Sequence, residues 1–161
     1  MPKITGRMKN VIGQRGEAKL QLCLTDYENY RSPLFNPGFL GDKWPVIDYY
    51  VEVLRTHRKC FFFAQAKSTT RSLTATHLLI SSKKSDIQGL KKIPGPTYMF
   101  GIHEPSGRIF VICVNAQTPR KAITRIPLAN ELTPSRLMDL HQEVKKFWQT
   151  NAFKPTKSAF S

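Results

Sequence analysis

The chain has 161 residues, of which 25 are Lys or Arg and 11 are Asp or Glu, so its formal net charge is +14. This length predicts one domain, residues 1–153, with a core that needs no disulfides, followed by a flexible tail at residues 154–161. No apolar segment is long enough to predict a membrane span, and no signal sequence is recognisable. The positive charge favours nucleic acid as a partner, although a solvated basic surface or contact with an anionic membrane would also be compatible with it.

Cysteine and histidine spacing argues against several kinds of chemistry. The cysteines lie far apart in apolar segments, which predicts buried thiols of a cytoplasmic protein rather than disulfides or zinc ligands. The histidines show no HExxH spacing and are interpreted as surface or hydrogen-bonded structural residues. The sequence also lacks GxxxxGK[ST], GxGxxG and GxSxG motifs, so nucleotide-driven work and serine-hydrolase chemistry are not expected. The cysteines are Cys23, Cys60 and Cys113, and the histidines are His57, His77, His103 and His141.

The first predicted element is an amphipathic helix at residues 11–30. This segment lacks proline, and Leu20, Leu24 and Tyr27 recur at helical spacing, which predicts a buried stripe. Glu17 lies on or beside this stripe. A glutamate is rarely buried without a partner, so Glu17 either points at the core for a functional reason or lies at the rim, paired with Arg15 or Lys19.

A β-hairpin is predicted next. Residues 32–40 contain two prolines and favour an edge strand or a loop, whereas residues 46–54 are rich in β-branched and aromatic side chains. The basic turn at residues 55–59 joins the strand at residues 46–54 to a second apolar strand, and these two strands should pair antiparallel. Alternation along the first strand puts Asp48, Tyr50 and Glu52 on one face. Ile47, Tyr49, Val51 and Val53 then take the other face.

The second strand ends in a polar pair that demands an explanation. Gln65 and Lys67 leave one face of the strand that begins with the apolar run at residues 60–64. An amide and an ammonium group beside phenylalanines are unfavourable unless each has a partner. Folding the hairpin back brings Asp48 towards both side chains, so Asp48 is the first candidate for their partner. The phenylalanines at 61–63 alternate faces, which favours core packing over a platform for base stacking.

The remainder of the chain predicts further short elements. We expect a loop with a brief strand or helical turn, a short helix, a second hairpin around a Glu-Pro-Ser-Gly turn, and a final helix. Together these elements predict an α/β fold of order α-β-β-β-α-β-β-α, with helices on a mixed central sheet. The segments are residues 68–85, 86–93, 97–102 with 108–114, and 135–150.

The set of Glu17, Asp48, Gln65 and Lys67 resembles the active-site pattern of the PD-(D/E)xK nuclease superfamily, which has the restriction-endonuclease-like fold. In that pattern a glutamate on the first helix, an aspartate on a strand and a (D/E)xK motif on the next strand converge on a divalent metal. Here the motif reads Gln65-Ala66-Lys67, as in a QxK branch that includes an uncharacterised domain family of bacterial genomes. The nearest proline to Asp48 is Pro45 rather than the residue directly before it.

The resemblance implies a nuclease that hydrolyses phosphodiester bonds of nucleic acid, DNA before RNA, with Mg²⁺ or Mn²⁺ held by Asp48, Gln65 and Glu17. Lys67 would orient the attacking water or offset charge in the transition state. Because Gln65 brings no charge, metal affinity should be modest, which Mg²⁺ tolerates. The pathway would be defence, repair or recombination.

Two alternatives stay open: a degenerate module that binds nucleic acid without cutting it, and a subunit active only as a homodimer or with a partner protein. The side chains expected to contact nucleic acid are Arg15, Arg55, Arg58, Lys59 and Arg71.

Overall fold

The computed structural model describes residues 4–115 and 122–151, so the predicted tail at 154–161 lies outside the described residues. The elements are α1 (Gly6–Leu24), β1 (Phe35–Phe39), β2 (Tyr49–Val53), β3 (Cys60–Thr69), β4 (His77–Leu79), α2 (Lys84–Lys91), β5 (Thr97–His103), β6 (Arg108–Cys113), β7 (Arg125–Pro127) and α3 (Pro134–Thr150). In these two ranges a five-stranded mixed sheet has the order β1-β2-β3-β5-β6, and a separate two-stranded sheet pairs β4 with β7. The strands β3 and β5 are parallel, while the other neighbours are antiparallel.

This architecture confirms the predicted fold class, a mixed central sheet flanked by helices, and both predicted hairpins. The segment with two prolines is an edge strand, β1, in which Pro37 pairs with Val51. The short strands β4 and β7 add a second sheet that the predicted element order lacks. Among the described residues, no helix is both long and apolar enough to cross a membrane.

The first helix begins and ends earlier than the prediction. Thr5 caps its N-terminus, since the Thr5 side chain accepts a hydrogen bond from the N–H of Met8. Asp26 then forms a turn beyond the helix by accepting from the N–H of Glu28, so the chain leaves the helical path. Tyr27, predicted on the buried stripe, is consequently 63% exposed.

Each face of the central sheet carries its own hydrophobic cluster. On one face α1 and α3 pack against side chains such as Val51, Phe62 and Phe100, and on the other α2, β4 and β7 pack against side chains such as Met99 and Phe110. Helices and strands on both faces fix the sheet, so groups at its edges and splits are held in defined positions.

Two predictions about burial are wrong. Ile47 was expected to share a face with Tyr49, but it belongs to the opposite cluster because Val46 adopts a positive φ of 65° and β2 begins only at Tyr49. The cysteines are free thiols, as predicted, yet only Cys60 is buried. Cys23 and Cys113 are half-buried because they lie beside rather than within the cluster on the α1 side.

Candidate functional site

The candidate site lies where β2 and β3 separate. The two strands pair from Val53 and Cys60 to Tyr49 and Ala64, whereas β3 continues to Thr69 paired with β5. The N–H of Asp48 still donates to the carbonyl of Ala64 at 2.9 Å. The Asp48 carboxylate then accepts from the N–H of Ala66 through Oδ2 at 2.6 Å. This side chain therefore takes the place of a strand partner, which fixes a carboxylate at the split.

A second carboxylate, that of Asp86, lies near the candidate site because it pairs with Lys67. The Nζ of Lys67 lies 3.6 Å from Oδ2 of Asp86, and the two side chains are 29% and 19% exposed. Asp86 occupies the first turn of α2, where a negative charge interacts favourably with the helix dipole. Asp86 was not predicted from the sequence as a site residue. An acidic residue in the first turn of a helix that follows the motif was the available signal.

The electrostatics connect these three charged groups. Burial raises the pKa of the Asp48 carboxyl above its usual value, and the nearby charge of Asp86 acts in the same direction. The hydrogen bond from Ala66 and the charge of Lys67 oppose this effect without cancelling it. Ionised Asp48 is therefore costly in the isolated chain, and an added cation would favour its charged form.

Gln65 is the unsatisfied group of the site. It is 4% exposed, and its Oε1 is buried without a hydrogen-bond partner. Strand alternation places its side chain on the same face as that of Lys67. A buried acceptor left unpaired costs about 1–3 kcal/mol, and among the described residues none pairs with this oxygen, so it is available to a water or a cation.

Glu17 lies on the α1 side of the sheet. The hydroxyl of Tyr49 donates to the backbone carbonyl of Glu17 at 3.2 Å, and Tyr49 belongs to the cluster beneath α1. Burial, with the charges of Glu17 and Asp48, raises the pKa of Tyr49 to about 12. Lys67 and Asp86, rather than Glu17, supply the side-chain charges that shift Asp48.

Arg15 and Lys19, the cations named as partners for a rim Glu17, form ion pairs with Glu104. They bring the pKa of Glu104 below its usual value although burial opposes this. Within residues 4–115 and 122–151, no three His, Cys, Asp or Glu side chains lie close enough together to hold a metal ion. The structure thus brings Asp48, Lys67 and Asp86 together, and Gln65 lies on the same face of β3 as Lys67.

The side chains expected to contact nucleic acid are spread over the molecule. The hairpin turn carries Arg55, Arg58 and Lys59 at the end of β2 and β3 remote from Asp48. Arg55 also binds Ser32 and the carbonyl of Tyr30. Arg71, by contrast, lines a groove together with Lys67.

Comparison with solved structures finds a nuclease from a fusselovirus that is 10% identical to this chain, with a TM-score of 0.43. The match covers 91% of this chain and 99% of that one. No protein-family model matches the sequence, and a comparison with curated proteins finds no match. Similarity at this level transfers neither an activity nor a site residue, so membership of the PD-(D/E)xK superfamily stays a prediction.

Proposed function

We propose that the chain is a metal-dependent nuclease whose site is formed by Asp48, Gln65, Lys67 and Asp86. The proposal depends on the Oε1 of Gln65, which is buried without a hydrogen-bond partner. Gln65 lies on β3 next to the point where β2 and β3 separate, and there the backbone of Ala66 holds the carboxylate of Asp48. The substrate would be nucleic acid, in agreement with a net charge of +14, and we expect DNA rather than RNA.

The donor atoms fit a hard divalent cation. Asp48 uses Oδ2 for Ala66, which leaves Oδ1 for a ligand, and Asp86 and Gln65 add a carboxylate and an amide oxygen. Oxygen ligands of this kind suit Mg²⁺ or Mn²⁺, and Mg²⁺ is often held by only one or two carboxylates, with water and substrate phosphate completing the shell. When bound, such a cation lowers the pKa of a water and polarises the scissile phosphate.

Lys67 has a role of its own in this proposal. Its contact with Asp86 is long and partly exposed, and pairs of this type contribute at most about 1 kcal/mol. The ammonium group can therefore leave Asp86 at little cost and offset the charge that develops on a phosphate. Asp48 stays oriented throughout, because its hydrogen bond to the backbone of Ala66 does not depend on Lys67.

A cleavage assay tests the proposal. Single-stranded DNA, single-stranded RNA and plasmid are incubated with the chain in Mg²⁺, Mn²⁺ or EDTA. We expect cleavage that requires the metal, is lost in Asp48→Asn, and falls by about 100-fold or more in Lys67→Met. Asp139→Asn is the matched control, since it removes the same charge from an exposed carboxylate paired with Arg136. Equal activity of Asp48→Asn and Asp139→Asn would exclude this site.

Two further variants separate the remaining possibilities. Glu17→Gln tests whether the helix glutamate contributes, because loss of cleavage with normal stability would add it to the metal ligands. Gln65→Glu supplies the missing charge and should raise activity at low Mg²⁺. The wild-type chain would instead be a non-cleaving module if it binds nucleic acid but does not cleave it with any metal, even at high protein concentration. Cleavage by Gln65→Glu under the same conditions would support that alternative.

A further inference from the structure

A groove runs along the free edge of β3, next to the candidate site. It lies between the first half of α1 and the end of β3, and its volume is about 530 Å³. Lys9, Ile4 and Ile12 line it from the α1 side, and Lys67, Ser68 and Arg71 line it from the β3 side. Because Lys67 lines the groove and also pairs with Asp86 in the candidate site, a ligand in the groove would lie next to the site.

The charge of this groove is unbalanced. Lys9, Lys67 and Arg71 are basic, and no acidic side chain occurs among the described residues that line it. Neither Lys9 nor Arg71 forms an ion pair within the described ranges. A second groove, near the end of α1, is different, because its basic residues Lys19 and Arg108 are paired with glutamates. Of these two grooves, the β3 groove is therefore the better site for an anion, because Lys9 and Arg71 form no ion pair in the described part of the chain.

The floor of the groove supplies backbone donors. Phe63 and Thr69 bond through their backbone towards the β5 side, whereas Ala64 and Ala66 bond towards Asp48. By alternation, the N–H of Ser68 points away from β5, along the edge where β2 no longer pairs. An edge N–H flanked by cations is a suitable donor for a phosphate oxygen.

The size and the walls of the groove select the occupant. A cleft of this volume falls in the range of about 300–1,000 Å³ that holds small ligands, which is room for about one or two nucleotides and not for a double helix. Its α1 wall presents Ile4 and Ile12, which are apolar. Bases can reach an apolar wall only when they are unstacked, as in a single strand.

We propose that this groove binds a single-stranded segment of the nucleic acid, with phosphates on Lys9 and Arg71 and a base against Ile4 and Ile12. The proposal rests on the proposed function for the identity of the ligand, and it deepens that function by naming a substrate class: strands with an unpaired segment rather than continuous duplex. The scissile phosphate would then lie at Lys67, which the groove shares with the candidate site.

The test measures binding without cleavage. Fluorescence anisotropy in EDTA compares a labelled single-stranded oligonucleotide with a blunt duplex of the same sequence over a range of salt concentrations. Wild type should prefer the single strand, and the exposed pair Lys9→Gln with Arg71→Gln should weaken its binding by about 10-fold or more. Losing two phosphate contacts should also make the log–log salt slope shallower by about 1.4, since each contact contributes about 0.7 for single strands.

The control variant removes an equal charge elsewhere. Arg125→Gln with Lys146→Gln also takes away one Arg and one Lys, both exposed, from β7 and from α3. It should change single-strand affinity by less than about 3-fold. Equal losses in the two double variants, or equal wild-type affinity for single strand and duplex, would overturn the groove proposal. Because the readout is binding in EDTA, a chain that binds as expected but never cleaves would contradict the proposed function alone.

Discussion

Gly13 and Gly16 both lie inside α1, yet an added methyl group should have opposite effects at the two positions. A Cβ at Gly13 would meet no atom within 4 Å. A Cβ at Gly16 would lie 1.7 Å from Oγ and 3.0 Å from Cβ of Ser68, on the strand that carries Gln65 and Lys67. At Gly16 the approach of α1 to β3 is therefore too close for a side chain larger than that of glycine.

The expected magnitudes follow from two opposing terms. Replacing glycine by alanine inside a helix stabilises it by about 1 kcal/mol, so Gly13→Ala should raise the free energy of unfolding by about that amount. Gly16→Ala gains the same propensity but overpacks the contact with Ser68, which costs about 1–3 kcal/mol. The difference between the two variants should therefore be about 1–3 kcal/mol, with Gly16→Ala the less stable.

Urea denaturation followed by circular dichroism measures both free energies. Adding Ser68→Ala to Gly16→Ala removes the closest atom, the Oγ, and should recover part of the loss. Ser68→Ala alone serves as the reference for this double-mutant cycle. If Gly16→Ala proved as stabilising as Gly13→Ala, the close approach of α1 to β3 would be refuted, and with it the position of the α1 wall of the groove.

Three further variants test the site and its surroundings. Asp48→Asn should be more stable than wild type at pH 7, because the raised pKa of Asp48 means that its ionisation destabilises the fold, and this difference in unfolding free energy should disappear below about pH 4. Gln65→Met should stabilise the metal-free chain by about 1–3 kcal/mol while abolishing cleavage, as measured by thermal unfolding and nuclease assay. Glu104→Gln should cost on the order of 1 kcal/mol at pH 7. Since Arg15 and Lys19 lower the pKa of Glu104, wild type should lose this contribution as the pH falls below about 4.5.

Local patterns predicted the parts of the fold that have a short-range cause. The apolar run before Gln65, the basic turn and the alternation of side chains determined the β2–β3 hairpin and placed Gln65 and Lys67 on one face. The Glu-Pro-Ser-Gly turn did the same for β5 and β6. In these segments hydrogen bonding and side-chain direction repeat with a fixed period, which the sequence displays directly.

Contacts between distant segments were not predictable in this way. The strands β4 and β7 contain three residues each and lie far apart in the chain, so neither carries a clear pattern of its own. Asp86 reaches Lys67 because the chain crosses over through α2 between two parallel strands, and an acidic first turn of α2 does not by itself reveal this tertiary arrangement. The left-handed backbone at Val46, which precedes Ile47 in the opposite cluster, likewise has no local pattern, since a β-branched residue rarely adopts a positive φ.

Anomalous diffraction from crystals soaked in MnCl₂ tests whether Asp48 and Gln65 hold a divalent cation. We expect a manganese peak at roughly 2–2.5 Å from Oδ1 of Asp48 and Oε1 of Gln65, with Asp86 turned away from Lys67 towards the metal. The same soak of Asp48→Asn crystals should show no peak there. Manganese bound elsewhere in wild type, with Oε1 of Gln65 still buried and unliganded, would refute this metal site.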